Sequence, residues 1–93
     1  MDMQKNSKIP KCGIQPYIAG KQVVVGAKQL KKALLGGRAA YVFLAENADP
    51  AVTEPIEMLC NSHNIQIYWV SSKDDLGRAC GIEVGAAAAA VLY

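Results

Sequence analysis

The spacing of hydrophobic positions predicts alternating strands and helices after residue 22 of this 93-residue chain. Four short apolar segments predict strands, at Gln22–Val25, Ala39–Ala45, Ile65–Val70 and Ala86–Leu92. The run Ala39–Ala45 is apolar without interruption, which is typical of a strand covered on both faces by helices. We interpret Ala86–Leu92 as a strand because it is short and follows a glycine, although its alanines would also suit a helix.

Residues that commonly begin or end helices indicate two helices between these strands. Ala27–Leu35 has helical periodicity and is followed by Gly36, a residue that commonly ends a helix. Ser72 is followed three residues later by an aspartate, so it can cap a helix that runs to Ala79.

The third helical segment contains two prolines that compete as start signals. Asp49 can cap a helical turn that begins at Pro50. Because proline inside a helix costs about 3 kcal/mol, Pro55 favours a later start. We therefore expect the main helix to begin with Thr53 as its cap and to run to about Ser62.

This order of elements predicts an α/β fold, a three-layer α/β/α sandwich with a four-stranded mixed sheet. The predicted domain comprises residues 22–93. Residues 1–21 hold two prolines and two glycines among polar residues and show no sustained period, so we expect a loose N-terminal arm with at most one helical turn near Gln15–Ala19.

The composition argues against a membrane protein, a secreted protein and a metal-binding protein. No apolar run approaches the length of about 18 residues that a membrane span needs, and there is no signal-peptide pattern, so we expect no membrane partner and a cytoplasmic location. The three cysteines form no CxxC pair, and Cys60 with His63 gives only two potential metal ligands. We therefore expect no metal and no cofactor.

Charges are distributed unevenly along the chain. From Met3 to Ala45 there are eight basic residues and no acid, whereas from Glu46 to the end there are seven acids and two bases. This asymmetry suggests a polyanionic partner that contacts one region of the protein.

The helix Ala27–Leu35 concentrates that positive charge on one face. A helical projection places Ala27, Leu30, Ala33 and Leu34 on one side, and Lys28, Gln29, Lys31 and Lys32 on the other. Lysine is disfavoured near the electropositive start of a helix. Gly26 would let a ligand approach the N–H groups, so the segment predicts an anion site. The alternative is that these lysines only keep the helix soluble.

Four motifs resemble, in order and spacing, those of the kink-turn RNA-binding ribosomal protein family. They are Gly26-x-Lys28-Gln29-x-x-Lys32 followed by Gly37, Ala45-x-x-Ala48-Asp49-Pro50, Leu59-Cys60, and Leu76-Gly77-x-Ala79-x-Gly81-Ile82-Glu83-Val84. The family is typified by the archaeal protein L-seven-A-e, and the chain looks closest to its short bacterial members. The resemblance covers about residues 22–92.

The resemblance implies that a strand-to-helix element with the pattern Gly-x-Asn-Glu-x-x-Lys contacts tandem sheared G·A pairs in a bent RNA. The matching positions are Gly26, Lys28, Gln29 and Lys32, with lysine in place of asparagine and glutamine in place of glutamate. Lysine can donate to guanine O6 and N7, and a glutamine carbonyl can accept from guanine N–H groups. We expect phosphates to be contacted by Lys31, Lys32 and the N–H groups near Gly26 and Ala27.

A second contact implied by the resemblance is the loop before the last strand, where apolar residues pack on an extruded nucleotide. Ile82, Glu83 and Val84 occupy it here. The alternative is that these residues are an ordinary hydrophobic strand start. Lys73 and Arg78 are weaker candidates for contact with the RNA backbone.

These observations predict a monomeric, non-enzymatic RNA-binding protein of ribosomal type that recognises and stabilises kink-turns. Ribosomal RNA, within the ribosome, and an mRNA leader are both candidate partners. An alternative is a protein-interaction adaptor of the same fold that uses the acidic segment Glu46–Glu57. An active site at Glu46 and Asp49 is disfavoured, since Asp49 is explained as a cap and no nucleophile–base pair lies nearby in sequence.

Overall fold

The structure, a computed structural model, describes residues 6–8 and 18–93. The three helices of this part of the chain are α1 (Ala27–Leu35), α2 (Pro50–Ser62) and α3 (Lys73–Ala79). The strands are β1 (Asn6–Lys8), β2 (Val23–Val25), β3 (Ala39–Ala45), β4 (Gln66–Val70) and β5 (Ala88–Leu92).

The strands form one mixed sheet in the order β1-β4-β3-β5-β2. β4 is parallel to both β1 and β3, whereas β5 is antiparallel to β3 and β2. The predicted fold class is confirmed by β2 to β5, and β1 adds a fifth short strand at one edge, within the segment expected to be a loose arm. Most of that arm, including residues 15–17 of the expected helical turn, lies outside the described residues.

The central strand β3 shows why the sheet is covered on both faces. Val42 and Leu44 pack with buried residues of α1 and α2, such as Leu30 and Ile56. The alternate residue Phe43 packs on the other face, in a cluster that contains Leu76 of α3 and Val70 and Val91 of the sheet. The uninterrupted apolar pattern of β3 is therefore explained by burial of successive side chains in two separate clusters.

The expected start of α2 at Thr53 is wrong, because the helix begins at Pro50 with Pro55 inside it. The Asp49 carboxylate caps it by accepting from the Ala51 N–H at 3.0 Å. Pro55 has no N–H to donate to the carbonyl of Ala51, which is an exposed residue of the first turn. Burial of Ile56 and Cys60 stabilises the turns that follow.

The other boundaries differ from expectation by at most two residues. β2 begins at Val23, β4 at Gln66 and β5 at Ala88, while α1 and β3 have the predicted bounds. Within residues 6–8 and 18–93, no helix is long and apolar enough to cross a membrane. In the same residues, no group of three or more His, Cys, Asp or Glu side chains is placed to hold a metal ion.

Candidate nucleic-acid interface

The topology brings the two predicted RNA contacts to one end of the sheet. β2, β3 and β4 run in the same direction and end there, and β5 begins there. The Gly26 N–H donates to the Ala88 carbonyl oxygen at 2.9 Å, and the Ala45 N–H donates to the Ala87 carbonyl oxygen at 3.0 Å. The start of α1 is therefore held beside the chain that leads into β5.

The start of α1 differs from the starts of α2 and α3 because no side chain caps it. Asp49 caps α2, and the Ser72 hydroxyl caps α3 by accepting from the Asp75 N–H at 3.1 Å. At the N-cap of α1 stands Gly26, with φ of +101°, and no acidic residue lies in the first turn. Because the first N–H groups of a helix have no acceptor within it, three donors point outward from residues 27–29.

The Gly26 N–H itself is already used by Ala88, so this glycine contributes conformation and open space. Its φ of +101° lies in a region of backbone conformation that glycine adopts readily and other residues avoid. A Cβ built on Gly26 would meet no atom within 4 Å, which shows that the surface in front of this residue is open. A large ligand can therefore approach the backbone closely here.

The polar face of α1 is presented much as the helical projection predicted. Leu30, Ala33 and Leu34 are buried, whereas Lys28, Gln29 and Lys32 are exposed. Since Lys32 follows Lys28 by four residues and Gln29 by three, the three side chains lie together on one surface of the helix. Within the described part of the chain, none of the α1 lysines forms an ion pair with a carboxylate.

Lys31 is placed differently from the other two lysines of the helix. It is half-buried and lines an open groove between α1 and α2, together with Pro55, Met58, Leu59 and Ser62. This position puts Lys31 at the margin of the basic face, on the side of α2.

The loop that carries Ile82, Glu83 and Val84 lies between α3 and β5. These residues precede the start of β5 at Ala88, so the alternative of an ordinary strand start is wrong. The Ile82 N–H donates to the Gly77 carbonyl oxygen and the Ala86 N–H donates to the Lys73 carbonyl oxygen, both at 3.0 Å. Both ends of the loop are therefore bonded to α3.

The two apolar side chains of this loop lie in different environments. Ile82 is half-buried and packs against the core cluster under α3. Val84 is 71% exposed, in a loop that is bonded to α3 at both ends. Of these two side chains, Val84 is therefore the one that exposes apolar surface to solvent.

An open groove of about 320 Å³ adjoins Val84. It is lined by Asp74, Arg78, Ile82, Glu83 and Val84, and so places a guanidinium and two carboxylates beside the apolar loop. Lys73 is exposed at the start of α3, where its backbone N–H donates to the Asn47 side-chain oxygen at 2.8 Å. Both weaker candidates, Lys73 and Arg78, thus lie at the same end of the sheet as the α1 lysines.

Sequence reasoning did not identify two residues that lie at this end of the sheet. Asn47 bonds α3 from the loop after β3, a contact over 26 positions that no local pattern reveals. Asp74 contributes a carboxylate to the groove, where it would oppose an RNA phosphate. Asp74 was missed because a carboxylate in the first turn of a helix is already explained by its favourable interaction with the helix dipole.

One cysteine follows α3 near the loop that carries Val84. Cys80, which follows α3, is half-buried, and burial raises the pKa of its thiol. The thiol is therefore held in its neutral form, which is a poor nucleophile.

Comparisons with known proteins agree on one family. A family model described as the ribosomal protein L7Ae/L30e/S12e/Gadd45 family matches residues 16–93. An RNA-binding protein from Geobacillus thermodenitrificans is 47% identical over 74 residues, which is 80% of this chain and 89% of the relative. The RNA-binding protein YbxF from Geobacillus stearothermophilus is 45% identical over the same coverage of both chains.

Among solved structures, a 15.5 kD RNA-binding protein from Giardia lamblia superposes with a TM-score of 0.72 at 28% sequence identity. The match covers 76% of this chain and 60% of that one, so the chain spans less than two thirds of the solved relative.

Proposed function

Because the chain belongs to the ribosomal protein L7Ae/L30e/S12e/Gadd45 family, we propose that it binds structured RNA and recognises and stabilises kink-turns, without catalysis. The observation that carries the proposal is the uncapped, lysine-bearing start of α1, tied to the chain before β5 by the Gly26–Ala88 hydrogen bond. The names of the bacterial relatives and of the Giardia protein, all described as RNA-binding, support the choice of ligand.

The start of α1 supplies the contact with the sheared G·A pairs. Lys28 and Gln29 are exposed in the first turn, so they can reach base edges while the free N–H groups of that turn face the RNA backbone. Gln29 accepts from guanine N–H groups and Lys28 donates to guanine O6 and N7. Lys32, one turn along the same surface, pairs with a phosphate, and Lys31 does so from the margin near α2.

The loop before β5 supplies the second contact. A nucleotide extruded from the bend places its base on Val84, whose apolar surface is otherwise in water. Ile82 and Glu83 line the same groove beside Val84. The positive charges of Lys73 and Arg78 offset the repulsion between the Asp74 carboxylate and an RNA phosphate.

Stabilisation follows from selective binding. A protein that binds only the bent RNA moves the RNA equilibrium toward the bend without an energy source. To shift the ratio of bent to unbent RNA from 1:99 to 99:1, the protein must bind the bent form about 10⁴-fold more tightly than the unbent form. Two contacts fixed at one end of a rigid sheet can supply such selectivity, because a straight duplex cannot reach both.

We assign this binding to residues 22–93, with residues 1–21 as an N-terminal arm. The protein is proposed to act as a cytoplasmic monomer. Its RNA partner is either ribosomal RNA, within the ribosome, or an mRNA leader.

The decisive experiment compares a kink-turn RNA with the same RNA whose G·A pairs are changed to Watson–Crick pairs. Wild type should bind the first RNA much more tightly. Gln29→Ala should weaken that binding by about 5- to 150-fold, since a well-made base contact is worth about 1–3 kcal/mol. The matched control is Asn61→Ala, which removes an exposed amide side chain from α2 and should change nothing. Equal affinity of wild type for both RNAs would contradict kink-turn recognition.

A further inference from the structure

A third open groove lies at the opposite end of the sheet, where β2 and β3 begin and β5 ends. Its volume is about 450 Å³, and its lining includes Lys21, Tyr41, Val91, Leu92 and Tyr93. β3 separates this end from the start of α1 by seven residues, or about 20 Å of extended chain. A nucleotide bound at the start of α1 therefore does not also fill this groove.

Two tyrosines give the groove aromatic surface. Tyr93 is 86% exposed. Tyr41 is half-buried and is held edge-to-face by Phe43, with ring centroids 5.8 Å apart, and by Tyr68, with centroids 5.7 Å apart. The groove thus has one fixed aromatic wall and one ring that is open to solvent, beside the aliphatic residues Val91 and Leu92.

Two basic residues, Lys21 and Arg38, are exposed at this end of the sheet. Lys21 is exposed in the lining of the groove. Arg38 lies outside the lining but is exposed at the same end, where its carbonyl oxygen accepts from the Tyr93 N–H at 3.1 Å. Among the described residues of this end (18–22, 36–41, 61–66 and 91–93) there is no aspartate or glutamate. The α1 end, in contrast, contains Glu46, Asp49, Asp74, Asp75 and Glu83.

We propose that this groove is a second RNA-binding surface, which takes an unpaired, single-stranded segment. Aromatic faces bind any base by stacking, and nearby cations bind the phosphates, which is the chemistry of proteins that bind single strands without reading sequence. In this arrangement a base stacks on Tyr93 against the wall formed by Tyr41, while Lys21 and Arg38 contact the backbone.

This inference shares with the proposed function only the class of ligand. The kink-turn contact reads paired G·A bases at the α1 end, whereas the second surface binds a strand that extends from the structured region or belongs to another part of the RNA. An acidic peptide is the other polyanion that two cations could attract, but it would gain little from stacking on the tyrosines.

The test uses an unstructured pyrimidine RNA of about 12 nucleotides, long enough for a site of this size. Its binding is followed by fluorescence anisotropy. Tyr93→Leu should weaken binding about fivefold or more, since stacking one base is worth that much. Tyr93→Phe, which keeps the ring, should retain wild-type affinity. In Lys21→Gln/Arg38→Gln, the slope of log K against log[salt] should become shallower by about 1.4, or 0.7 for each phosphate contact on a single strand.

Control variants at the α1 end separate this proposal from the previous one. Gln29→Ala/Lys32→Gln should leave single-strand binding unchanged, and the far-end variants should leave affinity for a minimal kink-turn RNA unchanged. Loss of single-strand binding in the α1 variant, with none in the Tyr93 and Lys21/Arg38 variants, would overturn the second surface. Equal binding of a poly-glutamate peptide would also overturn it, because the groove would then be a site for any polyanion. Neither outcome bears on recognition of the G·A pairs.

Discussion

Gly77 of α3 lies directly against Val84, so close that a Cβ at position 77 would overlap the Val84 carbonyl oxygen. The same helix accepts the Ile82 N–H at the Gly77 carbonyl and the Ala86 N–H at the Lys73 carbonyl. The position of the exposed Val84 side chain therefore depends on a helical residue that lacks a side chain.

The first prediction is that Gly77→Ala destabilises the protein. Alanine in place of glycine inside a helix ordinarily stabilises by up to about 1 kcal/mol. Here the added methyl displaces the loop backbone, so we expect a net loss of about 1–3 kcal/mol, the usual cost of overpacking. Urea unfolding measures the sign, and increased stability would show that the loop is not packed on Gly77. Kink-turn RNA affinity should fall as well.

The second prediction concerns Val84 itself. Val84→Ala should leave the free energy of unfolding within about 0.5 kcal/mol of wild type, as expected for an exposed side chain. It should weaken kink-turn RNA binding about fivefold or more, since the two lost carbons no longer cover a base. Leu35→Ala is the matched control, because Leu35 is 68% exposed at the end of α1, away from the loop. Similar effects of the two substitutions on RNA binding would contradict the role of Val84.

The third prediction separates phosphate contacts from base contacts. Removing one lysine–phosphate contact should make the slope of log K against log[salt] shallower by about 0.9 for a double-stranded RNA region, by analogy with duplex DNA. Lys32→Gln should therefore reduce the slope and weaken binding to kink-turn RNA and to its G·A-altered counterpart by the same factor. With a minimal kink-turn RNA that has no single-stranded extension, Lys21→Gln should leave the slope as in wild type. An unchanged slope in Lys32→Gln would exclude the phosphate contact.

The fourth prediction concerns stability at high pH. Burial, with a smaller contribution from the charge of Glu57, raises the pKa of the Cys60 thiol from 9.0 to about 12. As the pH rises above 9, the Cys60 thiol stays neutral in the folded state, whereas in the unfolded chain it ionises near its ordinary pKa. Its stabilising contribution is therefore complete below pH 9 and is lost as the pH rises toward 12, at no more than about 1.4 kcal/mol per pH unit.

The measurement is the difference in unfolding free energy between wild type and Cys60→Ala from pH 8 to pH 11. The other groups that titrate in this range are common to both proteins and cancel. We expect the difference to shrink as the pH rises. A constant difference would show that Cys60 ionises alike in the folded and unfolded states.

Local patterns in the sequence were sufficient for most of the secondary structure. The bounds of α1 and β3 follow from apolar spacing and from the glycine after α1, because these signals act within a few residues. The exposed Lys28, Gln29 and Lys32 also follow from helical geometry alone once Leu30, Ala33 and Leu34 are assigned to the core.

The start of α2 shows where local reasoning fails. The cost of Pro55 in a helix is real, but it is offset by burial of Ile56 and Cys60 against residues distant in sequence. A propensity argument cannot include that burial, since it depends on the packing of α2 on the sheet.

The sequence by itself determined that the chain alternates strands and helices, and that one helix has a basic face with lysine in its first turn. Only the tertiary structure decided that this turn lies beside the chain before β5, through the pairing of Val25 with Ala89, and that β1 joins the sheet beside β4. It also placed Lys21, Arg38 and Tyr93 together at the other end. The reason is physical: periodicity records which face of an element is buried, whereas the partner of each face is chosen by hydrogen bonding and packing between segments far apart in the chain.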